Sequence, residues 1–157
     1  LECLCSHLGN SLTVEIDGVV FKGEYLLVCI ANGTCYGGGF YSAPLARMDD
    51  GLLDVVLIKK VSRLKIASII ARYKAGTHFQ GGRIDPKLTP WITFCRAKSV
   101  VIRSKEDFIA NIDGECGPRR NFAAQIMPKA ACLVVPERLA VDYLSPKEER
   151  PALAGLD

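Results

Sequence analysis

At 157 residues the chain can bury one core but not two, and 49% of its residues are apolar. A formal net charge of +3 is small, makes no argument for nucleic acid and at most mildly favours an anionic membrane or nucleotide. No apolar run approaches the ~18 residues of a membrane span, and the start, Leu1-Glu2-Cys3, lacks the basic and apolar regions of a signal peptide.

Leu1–Asn10 shows no clear period. Thr13–Phe21 alternates, with Val14, Ile16 and Val20 apolar and Asp17-Gly18 as a two-residue hairpin signal, so strand, tight turn and strand are expected. Lys22-Gly23-Glu24 reads as a short turn, and Tyr25–Ala31 is apolar on both faces, as in a buried strand. A long glycine-rich loop follows, and Leu53–Lys59 resumes as a strand.

The period changes at Ser62–Ala75. Ile66, Ile69, Ile70 and Tyr73 fall at helical spacing, with Ser62 placed to cap the start and Gly76 to end it, which predicts an amphipathic helix whose basic face is either solvated, the more common case, or in touch with acidic lipid. Gly76–Pro90 reads as an irregular connection carrying His78, a lone loop histidine with no assigned role. Trp91–Cys95 is a short strand. Lys98–Arg103 and Asp107–Asp113 are expected as a pair of strands about a turn at Ser104–Glu106.

Gly117-Pro118-Arg119-Arg120 is expected as a turn, with Phe122–Met127 and Ala131–Val135 forming a last hairpin around Pro128-Lys129. Residues 1–143 make one domain, and 144–157 have little to bury and read as a tail. Eight or nine short strands with one helix predict a mainly β fold, an antiparallel β-sandwich or flattened barrel with one inserted amphipathic helix. Seven cysteines without a C-x-x-C pair suggest neither a zinc site nor a disulfide framework. Cys29, Cys95 and Cys132 stand among apolar neighbours as small core residues, and Cys116 has nothing beside it in sequence to activate its thiol.

The stretch Asn32–Val55, NGTCYGGGFYSAPLARMDDGLLDV, organises the rest. A loop of that length between strands is usually functional. It lacks the strand–loop–helix context and the G-K-[ST] of a P-loop, so its glycines serve sharp turns or close approach rather than a nucleotide fingerprint. Asp49-Asp50-Gly51 is either a solvated turn or a source of oxygen ligands for a hard cation. Asp113-Gly114-Glu115 is either a hairpin turn or, if extended, a pair of carboxylates on one side with Cα atoms about 6.5 Å apart.

N-G-x(3)-G-G-G, then P-x-A-x(2)-D-D-G-x-L-D-V, and N-I-D-G-E at Asn111–Glu115 together resemble the diacylglycerol kinase family of soluble lipid kinases, which includes sphingosine and ceramide kinases. The resemblance covers roughly Leu12 to Pro136 and implies the family's C-terminal, mostly β domain. The family's nucleotide domain, with its G-G-D-G-T loop, would lie upstream of this stretch. The resemblance implies transfer of the γ-phosphate of ATP to a lipid hydroxyl, with Glu115 as general base and Asp113 orienting it or helping to organise metal. It also implies a Mg²⁺ site at the Asp50 carboxylate with the backbone carbonyls of Arg47 and Leu52, although Arg47 stands where relatives often have lysine. A non-catalytic lipid-binding or regulatory module on the same fold is the alternative, and a kinase of a soluble acceptor a distant third. A cytoplasmic enzyme, peripheral to the membrane where its lipid lies, follows from the resemblance. If the chain starts partway through its β domain, Thr13–Phe21 and Tyr25–Ala31 become exposed edges, and a homodimer or larger assembly is expected.

Overall fold

The computed structural model describes residues 9–132 and 134. In chain order these form β1 (Asn10–Ile16), β2 (Val19–Ala31), β3 (Leu53–Lys59), α1 (Arg63–Ala75), β4 (Phe79–Gln80), β5 (Arg83–Ile84), β6 (Ile92–Ala97), β7 (Ser99–Ile112) and β8 (Glu115–Gln125). Six strands make one antiparallel sheet in the order β6-β3-β2-β1-β7-β8, and β4 and β5 make a small hairpin of their own.

Two features fold that sheet over on itself. β2 pairs with β1 through Val19–Tyr25 and with β3 through Tyr25–Ala31, with a bulge between Tyr25 and Leu27 where it passes from one layer to the other. Lys98 alone joins β6 to β7, although β3, β2 and β1 lie between them in the sheet. A single linking residue lets the flanking Cα atoms separate by only about 7 Å, so the ends of β6 and β7 must meet. The result is a mainly β, sandwich-like fold that is not closed into a barrel.

Its interior holds Leu12, Val14 and Ile16 of β1, Leu53, Val55 and Leu57 of β3, Cys95 and Ala97 of β6, and Val100, Ile102 and Phe108 of β7. Alternate residues of the same strands face outward to α1. Val56 and Ile58 of β3 and Ile92 of β6 pack there against Ile69 and Tyr73. β3 is therefore covered on both faces, which is why its apolar run is unbroken from Val55 to Ile58. Each such side chain removed from water contributes about 1.5–3 kcal/mol.

α1 ends as its sequence predicts. Gly76 has φ 72° and its N–H donates to the Tyr73 carbonyl at 3.2 Å, while the Thr77 N–H reaches the Arg72 carbonyl at 2.9 Å. A side chain at Gly76 would also come within 3.1 Å of Tyr41 Cβ, so glycine is required twice over. Ser62 holds the N-cap position without a side-chain hydrogen bond, and the buried stripe is narrower than the period suggested: Ile70 and Leu64 are exposed.

Several expected turns are absent. Lys22-Gly23-Glu24 lies within β2, and Ser104–Glu106 lies within β7, where the pairing is merely irregular between Arg103 and Phe108. Gly117–Arg120 continues β8, and Pro118 is tolerated because β8 is an edge strand that owes no further ladder bond. β8 ends at Gln125, and Ala131, Cys132 and Val134 are not strand, so the last expected hairpin does not form; Leu133 and Val135 lie outside the described residues, as does the tail. Cys29 and Cys95 are buried as expected, but Cys132 is exposed because nothing packs over that segment among the described residues. As for the edges expected at Thr13–Phe21 and Tyr25–Ala31, β1 is paired on both sides, by β2 and β7, but β2 is not: among the described residues its Val19–Glu24 half pairs with β1 alone and its Leu27–Ala31 half with β3 alone, so each half keeps one free side. β6 and β8 are the outer strands of the sheet among the described residues. No helix among the described residues is long and apolar enough to cross a membrane.

Candidate functional site

The loop between β2 and β3 folds in two parts. Tyr36 and Phe40 exchange backbone hydrogen bonds of 3.0 and 3.1 Å around Gly37-Gly38-Gly39, and their rings stack with centroids 5.6 Å apart. The Tyr41 N–H then donates to the Lys74 carbonyl at 3.0 Å, which fastens the loop to the end of α1. The second part is the aspartate turn. Asp49 is held by Arg47 through Nε at 3.0 Å and Nη2 at 2.9 Å, and these hydrogen bonds lower its carboxyl below the ordinary value.

Asp50 is engaged on both oxygens. Oδ1 accepts the Leu52 N–H at 3.0 Å, and Oδ2 accepts Arg96 Nη2 at 2.8 Å. The same guanidinium donates through Nε to Asp54 Oδ1 at 2.9 Å. Asp54 and Arg96 face each other directly across β3 and β6, so strand register presents the arginine to both carboxylates. The implied magnesium set of the Asp50 carboxylate with the carbonyls of Arg47 and Leu52 is made of hard oxygen donors. Each carboxylate oxygen keeps a second lone pair beyond the hydrogen bond it accepts. The residues therefore fit a largely hydrated cation held by one carboxylate, beside a guanidinium that already neutralises part of the charge. Among the described residues no group of three or more His, Cys, Asp or Glu side chains is arranged to hold a metal.

Asp113 and Glu115 sit elsewhere. Asp113 and Gly114 both have positive φ, 50° and 103°, and form the two-residue turn of the β7–β8 hairpin, its Gly114 N–H donating to Asn111 Oδ1 at 2.8 Å. The chain is not extended through the motif, and Glu115 opens β8 opposite Ile112. Both carboxylates are exposed. β1 pairs with β7 only as far as Ser104; past the irregularity the ribbon runs on from Phe108, which is buried in the core, to its tip at Asp113-Gly114 beside Glu115.

The two carboxylate groups are not brought together. Gly51 packs on Pro128, 3.5 Å from where its Cβ would be, at the foot of the ribbon, where Ser99 pairs with Gln125. Ten strand positions separate Gln125 from Glu115, a run of at most about 33 Å if straight at ~3.3 Å per residue, and shorter end to end where the ribbon bends. The aspartate turn thus lies by the foot of the ribbon and Glu115 beside its tip.

Between the loop and α1 lies a buried aromatic chain that sequence reading missed. Tyr73 follows Phe40 at 6.4 Å, then His78 at 5.1 Å, Phe79 at 4.8 Å and Phe94 at 4.9 Å. His78 is fully buried, and the 3.0 Å contact from Nε2 to the Ser42 carbonyl makes Nε2–H the donor. Burial lowers its pKa, so it is a neutral imidazole tying the loop to the β4 hairpin. Arg72 closes the other side on Asp85, whose carboxyl it lowers.

Residues 1–135 match the family model described as the YegS C-terminal NAD kinase beta sandwich-like domain. The chain belongs to that family. A relative in Chromohalobacter salexigens named probable lipid kinase YegS-like is 31% identical over 115 residues, covering 73% of this chain and 34% of that one. A diacylglycerol kinase of Staphylococcus carnosus is 30% identical over 117 residues, covering 74% of this chain and 36% of the relative. The crystal structure of a diacylglycerol kinase from Bacillus anthracis str. Sterne shares the fold, with a TM-score of 0.55 at 23% identity over 80% of this chain and 42% of that one. The chain spans about a third of the length of the curated relatives it matches.

Proposed function

We propose that this YegS-type domain is the acceptor side of an ATP-dependent lipid kinase, with Glu115 as the group that takes the proton from the lipid hydroxyl. The observation that carries the reading is the setting of Glu115. It stands beside the tip of the β7–β8 ribbon, next to its two-residue turn, and is exposed to an incoming substrate. In the reaction the hydroxyl oxygen attacks the γ-phosphorus of ATP, its proton passes to the Glu115 carboxylate, and ADP leaves. Asp113, two residues away across the turn, orients the substrate or the base. ATP is bound by a nucleotide domain in the rest of the polypeptide, in keeping with the share of the relatives' length that this chain spans. Mg²⁺ at Asp50, when bound, would supply charge that steadies the loop entering β3.

Labelled ATP and mixed lipids test the reading. The chain joined to its nucleotide domain should transfer phosphate to a lipid alcohol, and the 157-residue chain alone should not. Turnover by the chain alone would overturn the need for a second domain. A joined protein that binds lipid and ATP without transfer would point to a non-catalytic module.

A further inference from the structure

The net charge hides a strong local asymmetry. Between Val55 and Ile84 every Asp, Glu, Lys or Arg is a cation, from Lys59 to Arg83, and the whole of α1 lies in this stretch. Some of these are committed inward: Arg72 to Asp85, and Lys65 over the Trp91 ring at 3.4 Å. Arg63 and Lys74 are exposed. At about 100° per residue they fall on the side of α1 away from Ile69, together with Leu64 and Ile70. Leu64 is 93% and Ile70 41% exposed, two aliphatic side chains that this side of the helix presents to solvent.

The glycine-rich loop extends this face. Tyr41, 50% exposed, is bonded to the Lys74 carbonyl, and Lys74 Nζ lies 5.3 Å from the Phe40 ring on which exposed Tyr36 stacks. Apolar side chains, tyrosines and cations, with no acid among them, are the composition of a surface that enters the headgroup layer of an anionic bilayer. A protein partner would have to be acidic and apolar at once to match it. A bilayer of anionic lipids meets both demands.

We infer that the outward face of α1, with Leu64, Ile70, Arg63 and Lys74, and the adjoining Tyr36 and Tyr41, docks the protein on an anionic membrane. From the lipid-kinase reading the inference takes only the expectation that the protein meets a bilayer, and it names the surface that does so. α1 then lies in the interface plane, its aliphatic groups among the upper acyl chains and its cations at the phosphates.

Vesicle sedimentation with the 157-residue chain tests it, using phosphatidylcholine alone and phosphatidylcholine with an equal part of phosphatidylglycerol. The chain should bind the anionic vesicles and be released by salt. Arg63→Glu/Leu64→Ser/Lys74→Glu should lower partitioning at least about tenfold, since each basic residue near the surface carries much of that factor. Lys22→Glu/Arg120→Glu, with the same change in charge but placed on β2 and β8, should lower it by less than about threefold. Far-ultraviolet circular dichroism confirms that both variants fold. Binding that is absent, indifferent to phosphatidylglycerol, or reduced equally by both variants would overturn the inference and leave this face to another stretch of polypeptide. Sedimentation reads no phosphoryl transfer, so failure here is distinct from failure of the kinase reading.

Discussion

Arg96 lies between Asp50 and Asp54, with Nη2 2.8 Å from the first and Nε 2.9 Å from the second. Asp54 is buried, and the guanidinium is one of the groups that offset its burial. Arg96→Met should destabilise the domain by about 3–5 kcal/mol, the cost of breaking a buried ion pair by removing one member. Asp54→Asn in the same chain should recover part of the loss. Urea denaturation with an unchanged m-value measures both, and a loss below about 1 kcal/mol would mean that water replaces the arginine.

Magnesium affinity separates the two aspartates of the turn. Asp50→Asn should weaken Mg²⁺ binding, whereas Asp49→Asn should leave it nearly unchanged, because Asp49 is already matched by Arg47. Titration calorimetry reads the difference. Equal affinity in wild type and Asp50→Asn would remove the ion from this loop.

In the joined enzyme, Glu115→Gln should lower kcat by ~10²–10⁴-fold and leave the KM for ATP close to wild type. Stability should barely move, since the side chain is exposed and no core contact is lost. A kcat within about threefold of wild type would take the proton-accepting role away from Glu115.

His78 gives the fold a pH dependence of its own. Its folded pKa lies below the ordinary 6.5 because burial disfavours the charged ring. In the window from 6.5 down to the folded value the unfolded chain binds more protons than the folded one, so stability falls as pH falls. His78→Gln should be less stable at neutral pH, losing ring packing, yet should lack this part of the slope. Thermal or urea denaturation across the acidic range compares the two, and parallel curves would show that His78 does not titrate in that window.

What was legible in the sequence followed from strong local period and strong local breakers. Leu53–Lys59 and the helix with its Gly76 stop emerge where expected because one is apolar on every side and the other repeats at helical spacing. The long strands were misread wherever a glycine, proline or charged cluster broke the pattern. Lys22-Gly23-Glu24 lies on an exposed run of β2, and Gly117-Pro118 on an outer edge, so neither had to be a turn. At the candidate site, the D-D-G and D-G-E turns could be seen, but their separation could not, because it depends on the length of the β7–β8 ribbon. Arg96 was invisible for a similar reason: 46 residues from Asp50, it arrives only through the β3–β6 register.

Asp17 provides the last test, and it concerns the fold's closure. Expected only to turn a hairpin, it also binds the corner between β6 and β7: its carboxylate accepts the Lys98 N–H at 2.9 Å, the Ser99 N–H at 2.8 Å and the Ser99 hydroxyl at 3.0 Å. Its own N–H donates to the Ser99 carbonyl at 3.1 Å. Partial burial pushes the carboxyl upward, but the hydrogen bonds from Lys98 and Ser99 outweigh it and hold the pKa below the ordinary 3.8. The stability it contributes is therefore present above 3.8 and lost as pH falls through the lower folded value. Asp17→Ala should cost about 1–2 kcal/mol, the lower part of the range for charged hydrogen bonds because the site faces solvent. Asp17→Asn should cost less, since asparagine also tolerates the φ of 45° and keeps one acceptor oxygen. Urea denaturation at neutral pH and again below pH 3 measures the effect: the gap between wild type and Asp17→Ala should be wide in the first and narrow in the second. A gap that stays constant would mean that Asp17 acts through backbone conformation alone, and that the one-residue corner at Lys98 holds without its carboxylate.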